Sequence, residues 1–384
     1  MINKIDPSLL LKITSLGLSN KNVDCIIYSN NFQNSRQLLS KFNKHKQICE
    51  FPFINAFGLS LDWNEIKMIA NLKTVSYITS SLKVQTQLDV TKKIIELKSE
   101  NTTKKFSCAV IDTGISPTID ICVPKNRIVK FVDIVNNKTM PYDDNGHGTF
   151  VANVIAGGGV VSGGKYAGID PNCNIISIKA LDGGGETGVI NILKAMQWVI
   201  DNKTLYNIKV VCMSFGSMVL SSNDPLVLGA EVLWNNGITV VAAAGNSGPE
   251  MATIKSPGAS SKIITVGAIN DNRVEDRFDV SKFDVAEFSS RGPILNNYKP
   301  DVVAPGVNIK GACSFKINNT HYTTMSGTSV ATPIVAGVCC LLLGQNENLK
   351  PNDVKRILIN NTIKLNTDRN TEGFGLLNCK NIIF

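Results

Sequence analysis

Short apolar runs alternate with helical patterns from residue 107 onward, and this alternation limits the folds that the chain can adopt. The runs lie at residues 107–111, 175–179, 209–213, 238–244 and 263–266. The helical patterns lie at residues 149–156, 188–202, 225–235, 328–344 and 351–360. Short β-branched runs between helices are typical of strands buried on both faces of a parallel sheet. We therefore predict an α/β fold, a doubly wound and mostly parallel sheet with helices on both faces.

The first eighty residues follow a different order. Strand-like runs lie at 23–28, 48–54, 56–61 and 75–79, and helical patterns lie at 32–42 and 64–70. This β-α-β-β-α-β order is that of a small α+β ferredoxin-like unit, which can be a domain of its own. Residues 81–105 are polar and rich in lysine, so they are predicted to be a linker or a loosely held segment. For 384 residues we expect two domains, 1–90 and 91–384.

The composition is that of a folded protein. Hydrophobic residues make up 43% and charged residues 18%, which excludes a disordered or coiled-coil chain. Much of the net charge of +8 lies in residues 1–96, which hold 12 Lys/Arg and 7 Asp/Glu. The densest basic stretch, 41–46, is short, whereas nucleic-acid binders gather basic residues into longer runs with aromatics between them. We therefore expect no nucleic-acid partner.

The N-terminal segment and the cysteines bear on the cellular compartment. Asp6, Pro7 and Lys12 interrupt the segment in which an export signal needs an apolar run of about 7–15 residues. The longest uncharged apolar run, 334–343, is shorter than the roughly 18 residues of a membrane span. The ten cysteines include no C-x-x-C pair, so we expect reduced thiols and no cysteine metal site. We predict a soluble, cytoplasmic protein without a membrane partner, while export by another route stays open.

Three polar side chains stand where predicted strands end or predicted helices begin. Asp112 follows the run 107–111, His147 precedes a helix, and Ser329 lies at the start of another. Taken singly, these residues have structural interpretations as a turn former, a structural histidine and a helix N-cap. Taken together, they supply a nucleophile, a base and a carboxylate that orients the base. This combination predicts nucleophilic acyl transfer.

An amide side chain adds a fourth element. Asn246 follows the apolar run 238–244, so it is predicted to stand at the carboxyl end of a buried strand. An asparagine there can donate a hydrogen bond to the oxyanion of a tetrahedral intermediate. The backbone N–H of Ser329, at its helix terminus, would be the second donor.

Four motifs around these residues resemble those of the subtilisin-like serine proteases, the subtilase family. They are Val-Ile-Asp-Thr-Gly at 110–114, Gly-His-Gly-Thr at 146–149, Ala-Ala-Gly-Asn-Ser-Gly at 243–248 and Gly-Thr-Ser-Val-Ala-Thr-Pro at 327–333. The resemblance extends from about residue 105 to 379, and residues 163–171 are similar to the intracellular bacterial branch. It implies a serine endopeptidase in which Asp112 orients His147, His147 is general base and acid, Ser329 is the nucleophile and Asn246 is the oxyanion donor.

The resemblance also implies where a protein or peptide substrate binds. The peptide would add as a strand to one segment, and a second segment would form a wall of the pocket for the residue before the scissile bond. These substrate-binding residues would be Ser214, Phe215, Gly216, Ala243, Ala244 and Gly245. Lys255 would lie near the base of that pocket. It would either reach inward, shortening the pocket or favouring an acidic side chain, or extend into solvent. Glu186, with Val189 and Ile192, would border a further pocket.

The N-terminal unit resembles the subtilase propeptide, which assists folding and inhibits the enzyme. Its tail, within residues 80–89, would lie in the active-site cleft, and self-cleavage would fall within residues 80–93. The chain would then be a precursor whose own propeptide is an intramolecular inhibitor. The alternative, that residues 1–80 are an unrelated ferredoxin-like module, stays open.

Residues 156–164 depart from the pattern of many secreted subtilases, which carry a tight calcium loop in this region. The segment has no carboxylate, whereas calcium takes about 6–8 oxygen ligands, usually with carboxylates among them. We therefore assign no metal ligands and expect no required cofactor. Weaker calcium binding elsewhere stays open.

Two alternatives to an endopeptidase follow from the same residues. A catalytically silent subtilase-like scaffold or signalling protein would usually lack a triad member, and this chain keeps all three. An α/β-hydrolase esterase would need Gly-x-Ser-x-Gly and the order Ser, acid, His. Ser329 lies in Gly-Thr-Ser-Val-Ala, and the order here is Asp, His, Ser, which disfavours the esterase.

Overall fold

The computed structural model divides the chain into two compact units, residues 1–85 and 86–384. The residues that it describes are 4–6, 9–10, 13, 22–42, 48–52, 55–80, 87–97, 106–219, 223–272, 279–314 and 320–382. The two units thus meet in sequence at residue 85, whereas the sequence analysis places the domain boundary after residue 90. The tail and cleavage segments predicted for the first unit include residues 81–86, which lie outside the described residues.

The first unit is a four-stranded antiparallel sheet with helices in β-α-β-β-α-β order. Its elements are β1 (Val23–Ser29), α1 (Phe32–Phe42), β2 (Cys49–Phe51), β3 (Ala56–Leu61), α2 (Trp63–Ala70) and β4 (Val75–Ser80). The strand order is β2-β3-β1-β4, and Ile27 of β1 lies opposite both Phe57 and Ile78. These side chains form one buried cluster with Ile66 and Ile69 of α2. The predicted strand 48–54 is shorter, and its residues 53–54 lie outside the described residues.

The second unit contains a ten-stranded, mostly parallel sheet. Its strands are β5 (Ser107–Asp112), β6 (Ile128–Asp133), β7 (Asn174–Lys179), β8 (Ile208–Met213), β9 (Thr239–Ala243), β10 (Ile264–Asn270), β11 (Asp284–Val285), β12 (Val302–Pro305), β15 (Thr362–Ile363) and β16 (Leu376–Leu377). The order is β15-β16-β12-β10-β9-β8-β5-β7-β6, with β11 on β10, and β13 (Ile309–Ala312) pairs separately with β14 (Tyr322–Met325). Every neighbouring pair from β16 to β6 is parallel. The predicted α/β fold is therefore confirmed.

Helices cover this sheet. They are α3 (Gln87–Ile94), α4 (Ile119–Cys122), α5 (His147–Ala156), α6 (Val189–Asn202), α7 (Pro225–Asn235), α8 (Thr328–Gln345), α9 (Pro351–Asn360) and α10 (Arg369–Glu372), with 3-10 turns at Val160–Ser162 and Val280–Lys282. Helix α5 packs on α8, and α6 packs on α7. Because β5 and β9 are buried at every residue, both faces of the sheet are covered there.

Helix α8 is the core helix of the second unit. It contacts β8, β9 and β10, and 89% of its residues are buried. By length and hydropathy alone it could cross a membrane, but the buried core helix of a globular protein passes the same test. It is longer than the apolar run at 334–343 because small uncharged residues extend that run toward the N-terminus.

The strand order reverses at β5, which lies between β7 and β8. From β5 the chain builds β6 and β7 on one side and then β8 and β9 on the other. In such sheets a ligand site forms beyond the carboxyl ends of the strands at the reversal. The strand-end residues Asp112, Met213 and Ala243 therefore mark where the site should lie.

One organisational prediction was wrong. The segment 81–105 was predicted to be a linker or a loosely held segment, yet in its described part, residues 87–97, α3 forms and Thr91, Ile94 and Ile95 are buried. Their spacing places them on one face of the helix, whereas the lysines that dominate the composition occupy other positions. The backbone N–H of Cys379 donates to Ile95 O at 2.6 Å, so α3 is joined to the C-terminal segment of the same unit.

Candidate active site

A cavity of about 440 Å³ opens at the carboxyl ends of β5, β8 and β9. Nine of the residues predicted from the sequence line it: His147, Ser214, Phe215, Gly216, Ala243, Gly245, Asn246, Lys255 and Ser329. Glu186 lines an adjoining cavity of about 310 Å³ together with Val189 and Ile192. Ala244 is not among the lining residues; it is fully buried in an apolar cluster with Val227, Ile254 and Ala259.

The Asp112 carboxylate holds the His147 ring at the wall of this cavity. Asp112 is the last residue of β5 and is 1% exposed, whereas the His147 side chain, at the start of α5, is 25% exposed. Asp112 Oδ1 lies 2.8 Å from His147 Nδ1 and also accepts from the backbone N–H of Thr113 at 2.8 Å. A carboxylate at Nδ1 selects the tautomer with its proton there. Nε2 is then the nitrogen that can accept a proton.

Two effects oppose each other at His147. Burial of the ring lowers its pKa, because the charged form loses hydration. The negative charges of Asp112 and Asp143, together with the Asp112 hydrogen bond, raise it. The net result is a pKa of His147 above its usual value of 6.5.

A carboxylate that the sequence analysis missed fixes the loop before His147. Asp143 Oδ1 accepts from Thr113 Oγ1 at 2.9 Å, from the Gly146 N–H at 2.8 Å and from the Asn145 N–H at 3.0 Å. Its Oδ2 accepts from the N–H and the hydroxyl of Thr149 at 2.9 and 2.6 Å. Asp143 thus joins the turn after β5 to the first turn of α5. The available signal was an Asp shortly before the helix start: Asp143 precedes the N-cap residue, Gly146, by three positions, where a carboxylate can accept from N–H groups of the first turn.

Close approach of α5 to the turn after β5 requires glycine. A Cβ on Gly148 would lie 2.2 Å from the carbonyl oxygen of Gly114 and 3.1 Å from Asp112 Cβ. Gly114 itself has φ +105°, which L side chains rarely adopt. The glycines beside Asp112 and His147 are therefore what allow the two side chains to meet.

A buried lysine, also missed, holds the same turn from the side of β7. Lys179 is fully buried, and its Nζ donates to Thr113 O at 2.8 Å, Leu181 O at 3.0 Å and Asp144 Oδ1 at 2.6 Å. The signal was a lysine that ends an otherwise apolar strand. Buried lysines are rare unless they are paired, and here the pairing joins the loops that carry Asp112 and His147.

The side chain of Asn246 is oriented by the start of α8. Asn246 Oδ1 accepts from the N–H and the hydroxyl of Thr328, both at 2.9 Å, and the Thr328 hydroxyl accepts from the Gly245 N–H at 3.1 Å. With its oxygen occupied in this way, Asn246 presents Nδ2 as the donor. A Cβ on Gly327 would lie 3.2 Å from Asn246 Nδ2 and 3.0 Å from Ser329 Oγ, so both atoms converge on the same point.

Ser329 lies in the first turn of α8, where backbone N–H groups have no partner within the helix. These groups and the helix dipole favour a negative charge beside the Ser329 side chain. Pro333, inside the helix, has no N–H to donate to the Ser329 carbonyl four residues earlier. The site therefore joins a hydroxyl, an imidazole held by a carboxylate, and donors for an oxyanion.

Comparisons with known proteins identify the family of the chain. The family model described as the Subtilase family matches residues 103–376. The chain is 38% identical to serine protease AprX of Bacillus subtilis (strain 168), covering 92% of this chain and 84% of that protein. It is 32% identical to subtilisin DY of Bacillus licheniformis, covering 70% and 87% respectively. The solved structure of sphericase aligns with a TM-score of 0.63 at 26% identity, covering 77% of this chain and 99% of that one. The chain therefore belongs to the subtilase family and is a subtilisin-type serine endopeptidase.

Proposed function

We propose that the chain hydrolyses peptide bonds through the triad Ser329, His147 and Asp112, and that it is made as a self-processed precursor. The observation that carries the triad is the 2.8 Å contact between Asp112 Oδ1 and His147 Nδ1, because His147 lines the same cavity as Ser329 and Asn246. The cavity lies where a doubly wound sheet binds its ligands. The segment from Ser214 to Gly216 forms another wall, on which an extended peptide would bind.

Each step of the proposed reaction is assigned to a group of this chain. His147 Nε2 takes the hydroxyl proton of Ser329 as Oγ bonds to the scissile carbonyl carbon, and the oxygen becomes an oxyanion. Asn246 Nδ2 and the Ser329 N–H donate to that oxyanion. His147 then protonates the leaving amine as the C–N bond breaks, which leaves an acyl-enzyme. His147 next takes a proton from a water molecule as its oxygen bonds to the acyl carbon. The bond from that carbon to Ser329 Oγ then breaks, and His147 returns the proton to Oγ, which releases the acid and restores the enzyme. No cofactor enters the reaction.

A fluorophosphonate probe tests the triad. We expect the processed wild type to be labelled at one serine and to hydrolyse peptides. Ser329→Ala should lose both properties while keeping its circular dichroism spectrum. Ser247→Ala removes another hydroxyl near Asn246 and should keep the labelling. Failure of the processed wild type to react would favour the catalytically silent scaffold.

The precursor proposal rests on the separate β-α-β-β-α-β unit that precedes the protease unit, and on the likeness of that order to a subtilase propeptide. We propose that the first unit is the chain's own inhibitor. Intact mass and N-terminal sequencing should show cleavage within residues 80–93 in the wild type and the full 384 residues in Ser329→Ala. A wild type that keeps its full mass together with full activity would instead indicate an unrelated or regulatory module.

A further inference from the structure

The active-site cavity contains a lysine that the proposed mechanism does not use. Lys255 lies on the segment after β9, and its aliphatic stem fills the space between two glycines of the cavity walls. A Cβ on Gly216 would lie 2.6 Å from Lys255 Cβ, and a Cβ on Gly245 would lie 2.4 Å from Lys255 Cγ. Side chains at these two positions would displace the lysine. The stem is therefore in contact with both walls.

Backbone hydrogen bonds fix the segment that carries Lys255 to both walls. The Lys255 N–H donates to Ala244 O at 2.8 Å, on the side of Gly245. Ser256 and Ser217 exchange two N–H to carbonyl bonds of 2.9 Å, on the side of Gly216. A lysine on such a segment loses less freedom when it binds a ligand than one on a mobile loop.

The charge of Lys255 is not neutralised within the described part of the chain. There the structure shows no hydrogen bond or ion pair of its ammonium group, and no Asp or Glu lines the cavity. Asp112, the carboxylate of the proposed mechanism, is occupied by His147 and by the Thr113 N–H. A partly enclosed cation without a counter-charge favours an anionic ligand.

The position of Asn246 decides which substrate side chain meets this cation. The amide of Asn246 is assigned to the carbonyl oxygen of the scissile bond, and Gly245 directly precedes it. The Cα of the residue that carries this carbonyl is bonded directly to the carbonyl carbon, so its side chain begins in the same cavity. Gly216, Gly245 and Lys255 line that cavity.

We propose that the protease cleaves preferentially after acidic residues, and that Lys255 is the specificity-determining residue that pairs with the substrate carboxylate. This inference rests on the proposed function, because it places the scissile carbonyl between Ser329 and Asn246. The lysine stem also narrows the pocket, which disfavours large aromatic side chains. Charge-assisted hydrogen bonds in partly enclosed sites lead us to expect at least about a tenfold preference for Glu over its neutral isostere Gln.

The test compares kcat/KM for four peptides that differ only in the residue before the scissile bond: Glu, Gln, Phe and Lys. The processed wild type should prefer Glu over Gln by about tenfold or more at low ionic strength, with a smaller ratio in high salt. Lys255→Met keeps the stem and removes the charge, so its ratio should fall to about one. Lys255→Glu should prefer the Lys peptide. Lys209→Met, at the opposite end of β8 from the cavity, should keep the wild-type ratio.

Two results would overturn the proposal. One is fastest cleavage after Phe by the wild type, and the other is a Glu to Gln ratio that Lys255→Met leaves unchanged. Fluorophosphonate labelling, measured on the same samples, separates this failure from failure of the triad. Labelled enzyme without the preference contradicts the role of Lys255 alone, whereas unlabelled enzyme contradicts the proposed function.

Discussion

At the scale of single residues, burial and neighbouring charges act in opposite directions on the pKa of His147. Burial lowers this pKa, whereas the negative charges of Asp112 and Asp143 raise it. The net shift is upward. A general base works only when neutral, so a raised pKa restricts activity to higher pH. We therefore expect the acid limb of the kcat/KM profile to lie above pH 6.5.

Asp143→Asn tests this balance. The variant removes one negative charge near His147 and keeps the size of the side chain, so the pKa of His147 should fall and the acid limb should move to lower pH, by less than about one unit. The pH profile of kcat/KM measures the shift. Asp201→Asn, at an exposed position of α6, should leave the limb in place. A limb that stays fixed or moves to higher pH in Asp143→Asn would show that Asp143 acts through structure alone.

The motif residues could be predicted because each stands at a strand end or a helix start, which is a local property of the sequence. Asp143 and Lys179 could not, because their roles come from contacts with Thr113, which lies thirty or more positions away in the sequence. Lys255 was predicted to lie near the pocket, but whether its stem reaches inward depends on the glycines at 216 and 245. Those neighbours become visible only in three dimensions.

At the scale of elements, the start of α8 determines where Ser329 and Asn246, which we propose as nucleophile and oxyanion donor, meet. Gly327 precedes the helix with φ +154°, and a Cβ there would press on both Ser329 Oγ and Asn246 Nδ2 at 3.0 and 3.2 Å. Catalytic groups tolerate little misplacement, because about 1 Å can cost on the order of 10² in rate. Glycine is therefore needed at position 327 for two reasons: it leaves room for Ser329 Oγ and Asn246 Nδ2, and it adopts the positive φ angle.

Gly327→Ala should lower kcat and the rate of fluorophosphonate labelling by about 10²-fold while the protease unit stays folded. Peptide hydrolysis, labelling kinetics and the Tm of the processed enzyme measure the three quantities. Gly188→Ala is the matched control: it precedes α6 with φ −80°, and its Cβ would meet no atom within 4 Å. Wild-type activity in Gly327→Ala would mean that the helix start can shift without cost.

Elements with a continuous apolar run or an N-terminal proline were predicted to the residue, as with β3, α7 and α9. Strand β6 escaped prediction because Lys130 interrupts its apolar run, and both Val129 and Lys130 are exposed. Helix α3 escaped because its lysines dominate the local composition. In both elements only some of the residues are buried. Contacts with neighbouring elements determine which ones, and this burial stabilises the secondary structure.

At the scale of the whole molecule, a buried charge cluster joins distant parts of the protease unit. Asp301, at the entry to β12, lies 2.6 Å from Lys299 Nζ and 2.9 Å from Lys355 Nζ of α9. Its Oδ2 also accepts from the Thr265 N–H of β10 at 2.8 Å. Burial nevertheless lowers the pKa of Lys299 to about 8, so its charge remains costly even with Asp301 beside it. Loss of the Asp301 charge would leave both ammonium groups without this counter-charge.

Asp301→Asn should therefore destabilise the protease unit by about 3–5 kcal/mol, because two buried or partly buried ammonium groups lose their counter-charge. Urea unfolding in a Ser329→Ala background, which prevents self-digestion, measures the change. Glu231→Gln is the control: its pair with Lys262 spans 3.6 Å, with side chains 24% and 44% exposed. Such exposed pairs contribute about 0–1 kcal/mol. Equal losses of stability in Asp301→Asn and Glu231→Gln would contradict this prediction. They would show that Lys299 and Lys355 move to solvent when Asp301 is replaced, and that the cluster does not hold β10, β12 and α9 together.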